Sequence, residues 1–317
     1  MRYAVKHVTR FAYESPIAES VMEVRMQPRS EGAQRCLQFA LGTTPGSRVL
    51  MHVDHDGNTI HHFNIPGSHS RLTLTATALV DCDAVPSVPH RLGPGGWTQL
   101  DAMSASGEHW EWLSPSTFTA ATPLLGRLAD DIGIERGHCP LVMLRRLMGE
   151  MYKRFEYSPR TTRVDSPIDE ALGRRQGVCQ DFTHIFIALA RGLGVPTRYV
   201  SGYLFPNQER NDRSVDGATH AWAEALLPEL GWVGFDPTNN LLAEDRHIRV
   251  AVGRDYADVP PTRGVFKGTT VVKSELAVSV RIGSIDQPRA EVLPFAPWTS
   301  RDGGGGTAPE GAPDQQQ

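Results

Sequence analysis

Three residues of this 317-residue chain have the types and surroundings for covalent chemistry: Cys179, His220 and Asp236. Cys179 stands in Arg174-Arg175-Gln176-Gly177-Val178-Cys179-Gln180-Asp181-Phe182, just ahead of the clearest helical pattern in the chain. A lone cysteine is ordinarily a small buried hydrophobe. At a helix start, however, free N–H groups and the positive end of the helix dipole favour an anion, so a thiol there tends toward the nucleophilic thiolate. Gly177 lets the backbone approach closely, and the N–H of Cys179 is a candidate oxyanion donor. In Thr219-His220-Ala221-Trp222-Ala223-Glu224, alternation puts His220, Trp222 and Glu224 on one strand face and alanines on the other. The run Gly231-Trp232-Val233-Gly234-Phe235-Asp236 groups Trp232, Gly234 and Asp236 in the same way. An antiparallel hairpin through Leu227-Pro228-Glu229 pairs 224 with 232 and 222 with 234, which sets His220 directly opposite Asp236. The carboxylate then accepts one imidazole N–H and leaves the other ring nitrogen for Cys179, an arrangement of nucleophile, base and orienting acid.

Elements able to hold these residues are legible. Phe182, Ile185, Phe186, Leu189, Ala190 and Leu193 form one continuous helical face, and Gly194 and Pro196 end it. Leu124, Leu128 and Ile132, then Leu141 to Phe155, predict two earlier helices. Strands are predicted over 198–205, 219–227, 232–236, 247–252 and 269–282. The first hundred residues read as β: Tyr3 to Tyr13 and Arg71 to Val80 alternate, and runs 49–54 and 59–64 flank the turn dipeptide Asp56-Gly57. Short strands at this spacing predict an antiparallel, sandwich-like domain. Pro, Gly and Ser cluster from Pro86 to Ser116, marking a boundary, and Arg301 to Gln317 is low-complexity and expected to be disordered.

Composition narrows the function. Lys and Arg total 32 against 36 Asp and Glu, a net charge of −4 with no basic block, which argues against nucleic-acid binding. The longest apolar run in the middle of the chain, Ile185 to Ala190, is far short of the ~20 residues that cross a bilayer. The first residues contain no apolar leader, so a cytoplasmic location without membrane contact is expected. Cys36, Cys82, Cys139 and Cys179 form no CxxC pair, and disulfides are not expected.

The stretches Gly177 to His184, Gly194 to Tyr203, Thr219-His220-Ala221-Trp222 and Gly231 to Asn240 resemble the transglutaminase-like superfamily of cysteine enzymes, in particular its bacterial branch with an extra N-terminal β domain. Phe155-Glu156-Tyr157 and Gly253 to Pro261 are similar to that branch as well. The resemblance implies an α+β chain, with a nucleophile helix packed on an antiparallel sheet in a papain-like core. The expected layout is an N-terminal β domain over 1–100, a linker over 101–125, a catalytic core with C-terminal strands over 126–295 and a tail over 296–317. It implies Cys179 as nucleophile, His220 as general base and acid, and Asp236 as orienting acid. Tyr157, Gln180, Asp181, Trp222 and Tyr256 are candidate oxyanion or substrate contacts, with Asp255 beside the last. Asp181 could equally complement the helix N-terminus. His184 could pair with Asp181, and Trp222 and Trp232 are expected to wall the site or the core beneath it.

In that family the thiolate attacks an amide or acyl carbonyl, and water or an amine resolves the thioester. Hydrolysis is the default, because acyl transfer needs a pocket that keeps water out. The implied partner is a peptide or protein carrying a glutamine amide or isopeptide bond, with no cofactor. Two other readings compete. His52, His55, His61 and His62 cluster around the first hairpin, with His52 expected across from His61, and two histidines with a carboxylate could hold zinc. No HExxH motif accompanies them, and no metal is expected. A non-catalytic interaction module on the same fold is the second, disfavoured because Cys179, His220 and Asp236 are all present.

Overall fold

The computed structural model describes residues 1–285, apart from 138, 160, 208–211, 215–216 and 269–273. The tail expected over 296–317, and the end of the core from 286, lie outside the described residues. The fold is α+β, as expected, and among the described residues strands outnumber helices. Four strands open the chain: β1 (Arg2–Val24), β2 (Gln34–Thr44), β3 (Leu50–Val53) and β4 (Thr59–Cys82). Helices α1 (Gly96–Ala105), α2 (Trp110–Leu113), α3 (Pro123–Ile132) and α4 (Pro140–Arg154) follow. Next come β5 (Glu156–Tyr157), α5 (Ile168–Arg174), β6 (Gln176–Gly177) and α6 (Cys179–Gly192). The chain then runs through β7 (Thr197–Leu204), β8 (His220–Leu227), β9 (Gly231–Asp236), β10 (Leu241–Leu242) and β11 (His247–Gly253), and closes with β12 (Thr262–Lys267) and β13 (Ser274–Ser284).

The N-terminal region is one bent antiparallel sheet of six strands. Strands β1 and β4 pair along most of their length, and their register breaks between Ala12 and Glu19. At that break the sheet folds over, so that Met22, Val24, Phe63 and Ile65 pack with Leu72, Leu74 and Ala76 in one apolar cluster. A sandwich-like core thus comes from two halves of a single sheet. The C-terminal strands β12 and β13, expected with the catalytic core, instead pair with β1. Nor is 101–125 an extended linker: it carries the end of α1, all of α2 and the start of α3, with Trp112 buried against Trp232. Its Gly and Ser residues read as punctuation, but its few large apolar side chains are drawn into the core.

The second sheet has the order β10-β9-β8-β7-β11, all antiparallel. Ala221, Ala223 and Ala225 of β8 share a core cluster with Phe182, Ile185, Phe186 and Leu189 of α6, and small side chains on the strand let the helix approach closely. That cluster also contains Tyr3, Val5, Ala78, Val80 and Cys82, so the N-terminal sheet and the helical core share one apolar interior. The other face of β8 buries Trp222 with Val200 and Val252. Space for the indole comes from two glycines: a Cβ on Gly202 would lie 2.6 Å from the Trp222 ring, and one on Gly234 would collide with Ala243.

The outer edge of the second sheet is closed by side chains. Asn58 donates to the Val252 carbonyl and accepts from the Val252 N–H, both at 2.8 Å. Gln34 accepts from the Arg249 N–H at 2.8 Å and donates to its carbonyl at 2.9 Å. Two amide side chains thus stand in for a sixth strand on β11, an edge that would otherwise expose unpaired backbone groups. Gly202→Ala is expected to lower unfolding stability by about 1–3 kcal/mol, the usual cost of overpacking a filled core, and to alter the near-UV circular dichroism of Trp222. Urea titration of the variant against the parent protein checks this.

Candidate functional site

Helix α6 begins at Cys179, as its sequence pattern predicts. Just before it, β5 and β6 pair in parallel, placing Tyr157 beside Gly177. Asp181 folds back over the first turn: its Oδ2 accepts from the Val178 N–H at 2.8 Å and from the Thr162 hydroxyl at 2.5 Å. A Cβ on Gly177 would sit 2.8 Å from that same oxygen, which is why glycine stands two residues before the thiol. Asp181 is therefore a buried helix cap. Burial drives its pKa up, against the two hydrogen bonds. Gln180 is also committed locally, donating to the Val164 carbonyl at 2.8 Å and so fastening the preceding loop.

His220 opens β8 and donates from Nε2 to Asp236 Oδ2 at 2.8 Å. The two residues are not directly opposite. Leu227 pairs with Gly231 and Ala223 with Phe235, so the hairpin turns through Pro228, Glu229 and Leu230, with Glu229 and Gly231 at positive φ. The register is shifted by two from the expected one. A shift of two keeps every side chain on its face, and His220 reaches Asp236 diagonally.

Asp236 is fully buried and five hydrogen bonds converge on it. Oδ1 accepts from the N–H groups of Thr238 (3.0 Å) and Asn239 (3.2 Å). Oδ2 accepts from His220, from the Asn239 side chain (2.8 Å) and from His247 Nε2 (3.3 Å). Burial alone would raise the carboxyl pKa, but the two histidines hold it far below the usual carboxylate range. Burial likewise disfavours the His220 imidazolium, yet the charge and hydrogen bond of Asp236, together with the nearby Cys179 sulfur, raise its pKa to about 10. Its other nitrogen, Nδ1, is buried without a hydrogen-bond partner. The geometry brings a carboxylate, an imidazole and a helix-start thiol into one cluster.

His247, at the start of β11, is a further member of the cluster. Its Nδ1 accepts from the Glu244 N–H at 3.2 Å, so the proton sits on Nε2 and is donated to Asp236. Burial lowers its pKa against the pull of Asp236, and it serves as a neutral donor. Nothing local marks it, since its partner lies three strands away in the sheet order.

The remaining candidates separate. Trp222 stacks on His220 (centroids 6.1 Å, 27°) and meets His247 edge-on, so it walls this cluster. Trp232 pairs with Leu226, six residues up β8 from His220, or about 20 Å along a strand. There it lies under the Arg198 guanidinium, away from the cluster. Tyr256 is half-buried and packs edge-on against Tyr199, whose hydroxyl pKa is raised by burial and by the neighbouring Cys179. His184 pairs with the Tyr256 N–H (3.2 Å), not with Asp181, and stacks on Phe118; it is a core histidine whose pKa burial lowers to about 3. Asp255 caps the N–H groups of Phe118 and Ala257. A cavity of about 350 Å³ opens onto His220 between Ser214, Thr219, Asp212 and the β13 residues Val280 and Arg281.

The four hairpin histidines do not assemble. Met51, not His52, pairs with His61, which turns inward against Phe39, while His52 lies against His62 on the other face. His55 instead faces Asp56 (3.3 Å) and Glu111 (4.0 Å) at the surface. The His220, Asp236 and His247 ligand atoms also lie within metal-binding reach of one another. The Nε2 atoms of both histidines are already committed as donors to Asp236 Oδ2.

Comparison with known proteins agrees with this architecture. Residues 128–237 match the transglutaminase-like superfamily, and residues 3–81 match the bacterial transglutaminase-like N-terminal region. An uncharacterized protein of Mycobacterium leprae is 34% identical over 282 residues, covering 88% of this chain and 98% of its own. The chain belongs to the transglutaminase-like superfamily. An uncharacterized Mycobacterium tuberculosis protein is 32% identical, covering 89% and 92%. A candidate cysteine protease from Cytophaga hutchinsonii has the same fold, with a TM-score of 0.70 at 21% identity over 91% of this chain and 92% of that one. A protein-glutamine gamma-glutamyltransferase of Pseudomonas aeruginosa is 26% identical over 182 residues, 54% of this chain and 27% of its own. Family membership makes the protein a transglutaminase-like enzyme. Among the described residues no helix is long and apolar enough to cross a membrane.

Because the folded His220 pKa lies above its unfolded value near 6.5, its contribution to stability is full below about pH 6.5 and is lost as pH rises through about 10. Urea midpoints should therefore fall across that window. Asp236→Asn should flatten the fall and move the His220 titration, followed by imidazole NMR, down towards neutrality.

Proposed function

We propose that the protein is a cysteine-dependent amide or isopeptide hydrolase that acts on a peptide or protein substrate through a Cys179 thioester. The observation that carries this reading is His220, tied through Nε2 to a fully ionised Asp236 while Nδ1 is left unpartnered beside the thiol at the start of α6. Nδ1 takes the thiol proton, and Asp236 stabilises the resulting imidazolium. The thiolate sulfur bonds to the substrate carbonyl carbon. The oxyanion that forms lies near the N–H of Cys179 and the positive end of α6, with Tyr157 on neighbouring β5 as a candidate second donor. As the C–N bond breaks, the amine leaves with the proton from Nδ1. Water then gives a proton back to Nδ1 and attacks the thioester, and the departing sulfur recovers that proton as the acid is released. His247 acts through Asp236 and is a positioning residue.

A second reading is protein-glutamine acyl transfer, in which an amine replaces water at the last step. The named activity of the Pseudomonas aeruginosa relative favours it. Product analysis with and without a primary amine separates the two.

The test of the nucleophile is the rate of iodoacetamide alkylation of each cysteine against pH, read by peptide mass spectrometry. Burial pushes the Cys36 and Cys82 thiols up to about 11, so both serve as slow internal standards. Cys179 should outpace them at neutral pH, and His220→Ala should slow it by about 10- to 100-fold. Equal rates at Cys179 and Cys36, or no effect of the variant, would sink the reading.

A further inference from the structure

We infer that the enzyme selects substrates carrying acidic residues near the scissile amide, through a cationic groove beside the strand pair that leads into the nucleophile. This rests on the reading of Cys179 as nucleophile. The groove, about 630 Å³, runs along β5 and the end of α5 and is lined by Lys153, Arg154, Arg174, Arg175 and Arg213, with Tyr157 at one end. Five cations therefore face it in a chain whose net charge is −4, and the lining holds a single carboxylate, Glu156. Tyr157 is laddered to Gly177, and Cys179 follows Gly177 by two residues, at most about 7 Å of chain.

The carboxylates that offset these cations stand outside the lining. Glu150 meets Lys153 and Arg154 at 3.1 Å, Glu170 meets Arg174 at 3.1 Å, and Asp131 meets Arg175 at 3.3 Å. Such solvent-exposed pairs hold their partners weakly, leaving the guanidinium forks available to a carboxylate that binds in bidentate fashion. Arg175 is the most constrained: its backbone is left-handed (φ 54°), its guanidinium lies over Phe155, and its Nη1 is buried with no partner. Arg213 is anchored by the carbonyls of Tyr152 and Phe155 and so holds its charge in a fixed place. A groove built this way matches an extended acidic peptide.

The experiment alkylates the full-length protein with iodoacetyl-Glu-Glu-amide, iodoacetyl-Gln-Gln-amide and iodoacetyl-Lys-Lys-amide, with iodoacetamide as the uncharged reference. In each case the Cys179 sulfur bonds to the methylene carbon and iodide leaves. The acidic probe should label Cys179 about tenfold faster than the neutral one, and the basic probe slowest. The preference should shrink several-fold between about 20 mM and about 500 mM NaCl, where the Debye length contracts. R154Q/R174Q should erase the order and R154E/R174E should invert it, with thermal melting curves confirming that both variants are folded. Fast iodoacetamide labelling with charge-blind peptide probes overturns the groove proposal alone. Slow iodoacetamide labelling withdraws the nucleophile reading and this proposal together. Protection of Cys179 by a DNA oligonucleotide but not by polyglutamate also overturns it.

Discussion

A carboxylate with no access to water must be surrounded by donors or give up its charge, and Asp236 is the residue on which this constraint falls. Its donors come from separate places: His220 from the start of β8, Thr238 and Asn239 from the turn after β9, and His247 from β11. In the sheet order β9-β8-β7-β11, Asp236 and His247 are three strands apart, about 14 Å if the sheet were flat. They are hydrogen-bonded at 3.3 Å, so the sheet must curl until its first and last long strands meet across the concave face. The same curl brings Arg249 of β11 onto Glu224 of β8, a fully buried carboxylate that Arg198 pairs from its other side at 2.7 Å. Removing one partner from either cluster would strand a buried charge.

Curling exposes a problem at the edge of the sheet, and the N-terminal region answers it. Strand β11 carries His247 and is the outermost strand, and its backbone is satisfied by the amides of Gln34 and Asn58. Tyr203 of β7 joins the same junction through His7 and the Met26 carbonyl. A chain of contacts therefore runs from the N-terminal loops through β11 to His247, Asp236 and His220. The N-terminal sheet is, in this sense, part of the site's support, and β12 and β13 return to stitch it to the end of the chain. Trp222 fills the concave face between the two histidines, lying over Gly202 where any side chain would intrude.

Elements with strong periodicity were legible within a residue or two: α3, α4, α6, β7, β8, β9 and β11 all fall where apolar spacing predicts them. Helix α1 lacks a clear apolar face, α2 and α5 span only four and seven residues and so show no helical period, and β2 lacks a clean alternation because much of it is half-exposed. The His220–Asp236 contact survived a wrong register because strand faces repeat every two residues, so an error of two leaves the pair as diagonal neighbours. The hairpin histidines had no such margin: pairing 52 with 60 rather than 61 turned His61 to the opposite face and dissolved the supposed cluster. Asp181 and Gln180, both candidates for substrate contact by position, are spent on capping α6 and fastening the loop before it.

The thiol at a helix start, the strand faces that bear His220 and Asp236, and the family resemblance are legible in residue order, because they follow from local spacing over a few residues. Long-range folding is what makes His247 share Asp236, joins β12 and β13 to the N-terminal sheet, and lines one groove with Lys153, Arg154, Arg174, Arg175 and Arg213. Each of these depends on how far a sheet curls or where a distant segment returns. No local pattern encodes that, because it is set by burying charge and apolar surface across the whole chain.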